Sequence, residues 1–424
     1  MKIVKNILSF VLCAALALGA TVLVSCDQQA DGAGDAATEA ATGVSIRPAG
    51  QERSTADLSG VIAEIEADIE NNLRDELIAE IEHELASGGQ IENLVVITDY
   101  VQPNTGKDVS DEIQKVIRKN SNKTIYFPDG EYVVSKTIET SGNPTHSVSL
   151  HLSDGAVIKA SDDWGNGGAV VSLGGLENYN SIYINGSNYY FYGGTVDGNG
   201  KADGIDISSG RETAIRGVDI INTRIGIHVK KGANGGSSDA DMRDITIRGN
   251  GRVGSIGVKV VGSDNTLTNI DIENVMTGFE IGGGGNFLRQ VRAKMVVDGD
   301  EVPFGYEYSV GFSVVGGTTW LDTCSSEQFA TGFSFANQTL IFRACSASWY
   351  SSAGNKEIAF ACTGDYRASI VNARVDFRAD ATNRAFLSAN GGGSGVITSP
   401  MFDEALCDND AYKNFLDGKV LNNN

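Results

Sequence analysis

Gly226-Ile227-His228-Val229 follows the apolar segment Val218-Asp219-Ile220 after one short turn, and this pair of segments recurs along the chain. The later glycine segments are Gly257-Val258-Lys259-Val260, Gly278-Phe279-Glu280-Ile281, Gly311-Phe312-Ser313-Val314 and Gly332-Phe333-Ser334-Phe335. Successive glycines are 31, 21, 33 and 21 residues apart, a period typical of a solenoid. Short strands with apolar ends and a polar middle residue predict an all-β fold, a parallel β-helix with one coil per repeat. No coil can bury its apolar face alone, so many coils must stack.

The composition limits the classes of partner. The chain has 424 residues and a net charge of −21. Nucleic-acid binding requires a basic face, so this charge argues against nucleic acid as a partner. An acidic chain also repels polyanionic substrates unless it carries a local basic patch or a bound cation.

The first residues predict export from the cytoplasm. Lys2 and Lys5 precede an apolar run over residues 7–24, which predicts a signal peptide over residues 1–25. The run ends in Leu23-Val24-Ser25-Cys26, which resembles the bacterial lipobox. The resemblance implies that Cys26 is lipidated and anchors the protein to a membrane of the bacterial cell envelope, on the periplasmic or the cell-surface side. A transmembrane anchor, or an ordinary signal with a chance cysteine, is the alternative.

Two segments separate this signal from the repeats. Residues 26–53 are rich in Ala, Gly, Asp and Thr, which predicts a flexible tether. Residues 54–90 are acidic, and their apolar residues recur at spacings of three and four, which predicts an amphipathic helix. The apolar residues are Ile62, Ile65, Ile69, Leu73, Leu77, Ile81 and Leu85. The interpretations left open are a stalk that forms a homo-oligomer through residues 54–86, a helix packed on the solenoid, and a solvated spacer.

The segment before the repeats resembles a known superfamily. Asp108-Val109-Ser110 predicts a helix start, and Ile113, Val116 and Ile117 give that helix one apolar face. With the following Thr124-Ile125-Tyr126-Phe127-Pro128-Asp129-Gly130, it resembles the N-terminal segment of the pectate-lyase superfamily. The resemblance implies a right-handed parallel β-helix over residues 91–408, capped by that helix, with residues 409–424 as a C-terminal cap or tail. This fold hosts lyases, hydrolases, epimerases and adhesins, so the resemblance does not imply one activity.

A second resemblance is more distant. The stretch Gly193-Gly194-Thr195-Val196-Asp197-Gly198-Asn199-Gly200 resembles a structural turn of polygalacturonases. The following Asp203-Gly204-Ile205-Asp206-Ile207 resembles their first catalytic segment, which implies that Asp203 is a catalytic carboxylate. The paired aspartates of that family would fall on Arg224 and Ile225, and its histidine on Asn250. The standard polygalacturonase set is therefore not matched.

The repeat itself supplies other candidates. The middle residues of successive strands predict an outward row, namely His228, Lys259, Glu280, Ser313 and Ser334. A second predicted row contains Asp219, Thr246, Asp271, Arg292, Asp322 and Arg343. The first row offers a base, a cation and an acid for a lyase-type reaction on a bound polysaccharide. The alternative interpretation is cross-strand charge pairing of Lys259 with Glu280, and of Asp271 with Arg292.

Aromatic and acidic loop residues complete the candidate list. Trp164 lies in a turn expected to be exposed, and Trp349-Tyr350 lies in an insertion, so all three are candidates for sugar contact. The alternative is that they cap apolar seams between coils. Asp239-Ala240-Asp241 and residues 298–301 are the carboxylate-rich loops that calcium would favour. Neither completes a calcium loop, so solvated turns are favoured and no metal site or other cofactor is predicted.

The sequence leaves three functions open. One is a cell-envelope enzyme that acts on polysaccharide along the solenoid, as a hydrolase or a lyase. Another is a non-catalytic, glycan-binding or adhesive surface lipoprotein. The third is a structural spacer of the cell envelope that uses the acidic helix.

Overall fold

The computed structural model describes residues 93–140, 148–165, 167–174, 189–208, 213–230, 238–296, 305–336, 339–350, 356–391 and 393–416. The predicted signal peptide, Cys26, the tether and the acidic helix lie outside these residues. Within them, no helix is long and apolar enough to cross a membrane.

The described residues form one α-helix, α1 (Ser110–Lys119), and a long series of short strands. In chain order the strands are β1 (Leu94–Val96), β2 (Thr124–Phe127), β3 (Gly130–Val134), β4 (Ile138–Glu139), β5 (Val148–Leu152), β6 (Ala156–Ala160), β7 (Ala169–Leu173), β8 (Tyr189–Tyr192), β9 (Thr195–Asp197), β10 (Asp203–Ile207), β11 (Ala214–Thr223), β12 (Ile225–Val229), β13 (Asp241–Gly249), β14 (Ile256–Val260), β15 (Thr266–Glu273), β16 (Thr277–Ile281), β17 (Asn286–Arg289), β18 (Arg292–Lys294), β19 (Val310–Val314), β20 (Thr319–Asp322), β21 (Ser325–Glu327), β22 (Thr331–Ala336), β23 (Thr339–Arg343), β24 (Ser346–Ser348), β25 (Lys356–Thr363), β26 (Arg367–Val371), β27 (Arg374–Asp376), β28 (Asn383–Asn390) and β29 (Ser394–Thr398). Short 3-10 helices cover Ile97–Asp99, Tyr306–Tyr308, Glu404–Leu406 and Ala411–Phe415.

The strands wind into a solenoid, which confirms the predicted all-β right-handed parallel β-helix. Each strand pairs in parallel with the equivalent strand of the next coil, as β11 does with β13 and β13 with β15. A ten-stranded sheet runs in the order β4, β7, β10, β12, β14, β16, β19, β22, β25, β28. The other strands form a nineteen-stranded sheet, which bends at a corner within each coil into two strips.

The recurring glycines are explained by the distance between coils. A Cβ atom on Gly226 would lie 2.6 Å from the carbonyl oxygen of Gly257, and one on Gly278 would lie 2.4 Å from that of Gly311. Real Cβ atoms essentially never approach so closely. The glycine that marks each repeat in the sequence is therefore required where successive backbones meet.

Single residues with positive φ turn the chain between the two strips of the nineteen-stranded sheet. Asp244 (φ 57°) and Asn269 (φ 51°) occupy equivalent corners of neighbouring coils, and the Asn269 amide donates to the Asp244 carboxylate at 2.7 Å. Asn and Asp tolerate this left-handed conformation better than other non-glycine residues. Gln290 (φ 53°) occupies such a corner between β17 and β18.

The second predicted polar row is wrong beyond Arg292. Arg292 pairs with Ser325 in the next coil, whereas Asp322 pairs with Arg289. The corner at Gln290 puts Arg289 and Arg292 on different strips, which spacing in the sequence does not reveal. The predicted Asp271–Arg292 ion pair is present, with contacts of 2.9 and 2.7 Å.

Aromatic rings stacked along the axis fill the interior of the later coils. Phe279, Phe312, Phe333 and Phe360 stand above one another, with ring centroids 4.8, 4.8 and 5.1 Å apart and nearly parallel planes. All four are buried. Each ring fills the space between its neighbours, so the coils must stay in register to keep the stack.

Both ends of the described solenoid are covered. Ile113, Val116 and Ile117 of α1 are buried against the first coils. The Gln114 amide pairs with the backbone of Glu139 on the edge strand β4 through two hydrogen bonds of 2.8 Å. Gln114 thus satisfies the backbone N–H and C=O groups of Glu139 on the edge strand, as a further strand would. At the other end, Tyr412 and Phe415 of the last 3-10 helix are buried.

Candidate functional site

The outward row predicted from the repeat is present on the ten-stranded sheet. Lys259 pairs in register with His228 on one side and with Glu280 on the other. The row continues through Ser313 and Ser334. In the opposite direction it runs through Asp206, Ser172 and Glu139. A continuous line of polar side chains therefore follows the solenoid axis.

Asp206 and His228 of this row form a cluster with Lys230, the residue that follows β12. Asp206 is only 4% exposed, and the Lys230 ammonium group contacts its carboxylate directly. The His228 Nδ1 atom lies 3.9 Å from the other carboxylate oxygen. Asp206 therefore holds a lysine and a histidine side by side on the outward face.

Burial sets the protonation of this cluster. Burial raises the pKa of the Asp206 carboxyl group, although the hydrogen bond and the charge of Lys230 oppose the rise. Burial lowers the pKa of the His228 imidazole. The negative charge of Asp206 opposes this lowering, and the positive charges of Lys230 and Lys259 add to it. A histidine with a lowered pKa is neutral at pH 7, which is the form that accepts a proton.

Lys259 and Glu280 form the ion pair that the charge-pairing interpretation expected. Their side chains approach to 2.8 Å, and both are about one-third exposed. An ammonium group carries three donors, so Lys259 can contact Glu280 and a second anion together.

Asp203, the candidate carried over from polygalacturonases, is buried and held by hydrogen bonds. Its carboxylate accepts from the Arg224 guanidinium at 3.1 and 2.9 Å and from the backbone N–H of Ile225 at 3.1 Å. Arg224 stands where that family would place an aspartate. This arrangement joins β10 to β12 and favours a structural role for Asp203.

Of the three aromatic candidates, two side chains are buried and one is exposed. The expectation that Trp164 lies in an exposed turn is wrong, because it is only 8% exposed. Trp349 is 5% exposed, donates from Nε1 to the Phe329 carbonyl at 2.6 Å, and stacks on Phe377 at 5.7 Å. Both indoles pack into the solenoid, as the seam-capping alternative holds. Tyr350, at 59%, is exposed.

The acidic loops do not assemble a cation site in the part of the chain that is described. The Asp241 carboxylate pairs with the guanidinium groups of Arg216 and Arg243. Residues 298–301 lie outside the described residues. Among those described, no three His, Cys, Asp or Glu side chains cluster to hold a metal ion.

A cleft of about 630 Å³ lies between α1 and the first coils, beside the start of the row. One wall is α1, with Gln114, Lys115, Arg118 and Lys119; the other includes the turn that carries Trp164. Asp206 and Lys230 line the same cleft. The polar row therefore leads into it.

Comparison with known proteins agrees with this architecture. Residues 94–300 match the family model described as rhamnogalacturonase A/epimerase, pectate lyase-like. Over these residues, which make up just under half of its length, the chain is similar to this pectate lyase-like family. No curated protein sequence matches it significantly.

Several solved structures are similar to this chain. An endo-xylogalacturonan hydrolase from Aspergillus tubingensis is 12% identical, with 74% of this chain and 98% of the other covered and a TM-score of 0.47. An alginate lyase from a Paenibacillus species is 15% identical, with coverages of 66% and 98% and a TM-score of 0.41. The tailspike of Escherichia coli bacteriophage HK620, in complex with a pentasaccharide, is 13% identical, with coverages of 74% and 66% and a TM-score of 0.47. At these identities and TM-scores, no conclusion about this chain is drawn from the likenesses.

Two parts of the candidate site, Asp206 and the cleft, were not predicted from the sequence. Asp206 was visible as the polar residue two places after Gly204, in the same frame as His228 after Gly226, and this signal extends the row. The cleft had a weaker signal, the cations Lys115, Arg118 and Lys119 spaced three and four apart on the capping helix. Nothing in the sequence places that helix face beside Lys230.

Proposed function

We propose that this protein acts on a uronate-containing polysaccharide that lies along the polar row of the ten-stranded sheet, and that His228 is the base of a β-elimination. One observation carries the proposal. The pKa of His228 is lowered by burial, and in the row His228 stands between the Asp206–Lys230 pair and Lys259. A neutral base flanked by two ammonium groups is the combination that elimination beside a carboxylate requires.

The reaction assigns a task to each group. His228 takes the proton from the carbon next to the uronate carboxylate, and the electrons of that C–H bond form a carbon–carbon double bond. The glycosidic C–O bond on the neighbouring carbon breaks, and the departing oxygen takes up a proton. Lys230 and Lys259 stabilise the negative charge that develops on the substrate carboxylate. Asp206 orients His228 and Lys230.

The ion pairs on this face favour elimination over hydrolysis. An inverting glycoside hydrolase uses one protonated and one ionised carboxyl group about 6.5–9.5 Å apart. Here Asp203 pairs with Arg224, Asp206 with Lys230, and Glu280 with Lys259. Each of these three carboxylates has a cation as its partner, which suits binding and orientation better than proton transfer to a glycosidic oxygen.

The test is a panel of polyuronates incubated with the protein, with unsaturated product followed by ultraviolet absorbance. We expect product from at least one substrate, and His228→Gln should lower its formation by about a hundredfold or more, the contribution of one general base. Thr266→Ala, an exposed position on the nineteen-stranded sheet and outside the row, is the control and should stay active. Release of reducing ends without any unsaturated product would contradict elimination.

A second candidate function is glycan binding without catalysis. The engagement of Asp203, Asp206 and Glu280 in ion pairs favours it, because none is left as an evident acid. Retained binding of a polyuronate by the wild-type protein, with no product of either kind after prolonged incubation, would establish this function in place of the first.

Anchoring in the cell envelope is part of the same proposal. The sequence Leu23-Val24-Ser25-Cys26 supports lipidation of Cys26, and acyl chains there would hold the protein at a membrane surface near its polysaccharide. Mass spectrometry of the mature N-terminus tests this, with Cys26→Ser expected to release the protein from the membrane fraction. The acidic segment 54–86 is proposed as an oligomerising stalk, tested by sedimentation with and without it.

A further inference from the structure

The cleft beneath α1 is positively charged in an otherwise acidic protein. Five cationic side chains line it, namely Lys115, Arg118, Lys119, Lys136 and Lys230, against the three carboxylates Asp111, Glu139 and Asp206. The net charge of the whole chain is −21. A local excess of positive charge is what such a chain needs to hold an anion.

Three of the cations have no carboxylate of their own. Lys136 pairs with Asp111 at 2.7 Å, and Lys230 pairs with Asp206. Lys115, Arg118 and Lys119 form no ion pair within the described part of the chain, although all three line the cleft. Their charges are available to a ligand.

The position of α1 makes the cleft the end of the polar row. The two hydrogen bonds between Gln114 and the backbone of Glu139 fix the helix on the edge strand β4. Glu139 is the first residue of the row, and Asp206 belongs both to the row and to the cleft. Lys230, the ion-pair partner of Asp206, also lines the cleft. A chain that follows the row in this direction therefore meets the unpaired cations of α1.

The size of the cleft also suits sugar units. Its volume of about 630 Å³ lies within the range of about 300–1,000 Å³ that is usual for small-ligand sites. Trp164, Gly167 and Gly168 also line the cleft.

We infer that this cleft is a subsite that binds the carboxylate groups of the polysaccharide at the end of the row, through Lys115, Arg118 and Lys119. The inference rests on the proposed function, because it takes the same polyuronate as ligand. A structural role for Arg118 and Lys119 also exists, since cations in the last turn stabilise a helix dipole. That role needs no ligand, so it would change thermal stability and leave binding unaffected.

Binding by the full chain carrying His228→Gln separates these roles, because the probe is then not consumed. Fluorescently labelled oligogalacturonate, oligoalginate and oligoglucuronate serve as probes, with a labelled neutral maltooligosaccharide for comparison. The triple change Lys115→Gln, Arg118→Gln and Lys119→Gln removes the three charges. The matched control removes three exposed cations outside the cleft, by Arg252→Gln, Arg289→Gln and Arg367→Gln.

The cleft variant should bind the best anionic probe about tenfold more weakly, the combined effect of three exposed charge contacts. The control variant should change affinity by less than about twofold, and the difference between the two should shrink as salt is added. Equal weakening in both variants would overturn the inference, as would unchanged affinity in the cleft variant or failure of every anionic probe to bind. Charge-dependent binding of phosphatidylglycerol vesicles in place of the sugars would assign the cleft to a lipid surface and refute it as well.

The outcomes also separate this inference from the proposed function. If wild-type protein forms no elimination product while the cleft variant alone loses sugar binding, the elimination mechanism is refuted and the subsite is supported. If elimination occurs and the cleft variant binds sugar as tightly as the protein with an unchanged cleft, the subsite is refuted and the mechanism is supported.

Discussion

Asp203→Asn distinguishes a structural carboxylate from a catalytic one. Asp203 accepts three hydrogen bonds, two from Arg224 and one from the backbone of Ile225. In the variant one carboxylate oxygen becomes an NH₂ group. If the remaining oxygen keeps Ile225 N–H and Arg224 Nε, the new donor faces the Arg224 Nη2 donor. One charge-assisted hydrogen bond is lost and two donors oppose each other, so we expect destabilisation of about 2–3 kcal/mol.

Local hydrogen exchange is the appropriate assay, because a solenoid need not unfold in one step. Exchange should accelerate in β10 and β12, with a matching fall in the denaturant midpoint. Asp219→Asn changes an exposed aspartate on the other sheet and is the control, expected to shift stability by less than about 0.5 kcal/mol. A cycle with Arg224→Met should give a coupling energy of about 1–3 kcal/mol. Unchanged protection together with lost activity would refute the structural assignment.

Three further outcomes are expected. Phe312→Ala removes the middle of the aromatic stack and should destabilise by about 3–5 kcal/mol in chemical denaturation, with Phe312→Leu costing less than half as much; a loss below about 1 kcal/mol would contradict the stack. Burial lowers the pKa of His228, and the charged groups that act on it are Asp206, Asp203, Lys230 and Lys259. The value of kcat/KM should therefore stay constant at neutral pH and fall only below about pH 6.5, where the base becomes protonated. A fall that begins at higher pH would contradict this. Glu280→Gln removes the anion that competes for Lys259, so polyuronate affinity in a titration should rise by up to about fivefold; weaker binding would show that Glu280 itself contacts the sugar.

The repeat carried enough information for the fold and for the polar row. The glycine before each short strand predicted the coils, and the structure shows why no side chain fits there. Because parallel strands stack in register, the same spacing placed His228, Lys259 and Glu280 in line. The pairing of Lys259 with Glu280 followed from that register.

The predictions that were wrong or missing depend on contacts between residues that are distant in the sequence. The corner at Gln290 separates Arg289 from Arg292, and a count along the chain misassigned Asp322. The burial of Trp164 and Trp349 depends on the coils that cover them, and neither turn has a composition that reveals it. The cleft requires Lys115 on the capping helix to lie near Lys230, which follows β12, three coils beyond the edge strand β4. Only the folded solenoid brings these residues together.

The most direct measurement is a crystal structure of the His228→Gln variant with the polyuronate oligosaccharide that binds it best. We expect the chain along the ten-stranded sheet, with a uronate carboxylate on Lys230 or Lys259 and the adjacent C–H bond directed at position 228. An oligosaccharide bound on the nineteen-stranded sheet, or one whose carboxylates avoid both lysines, would contradict the proposed function.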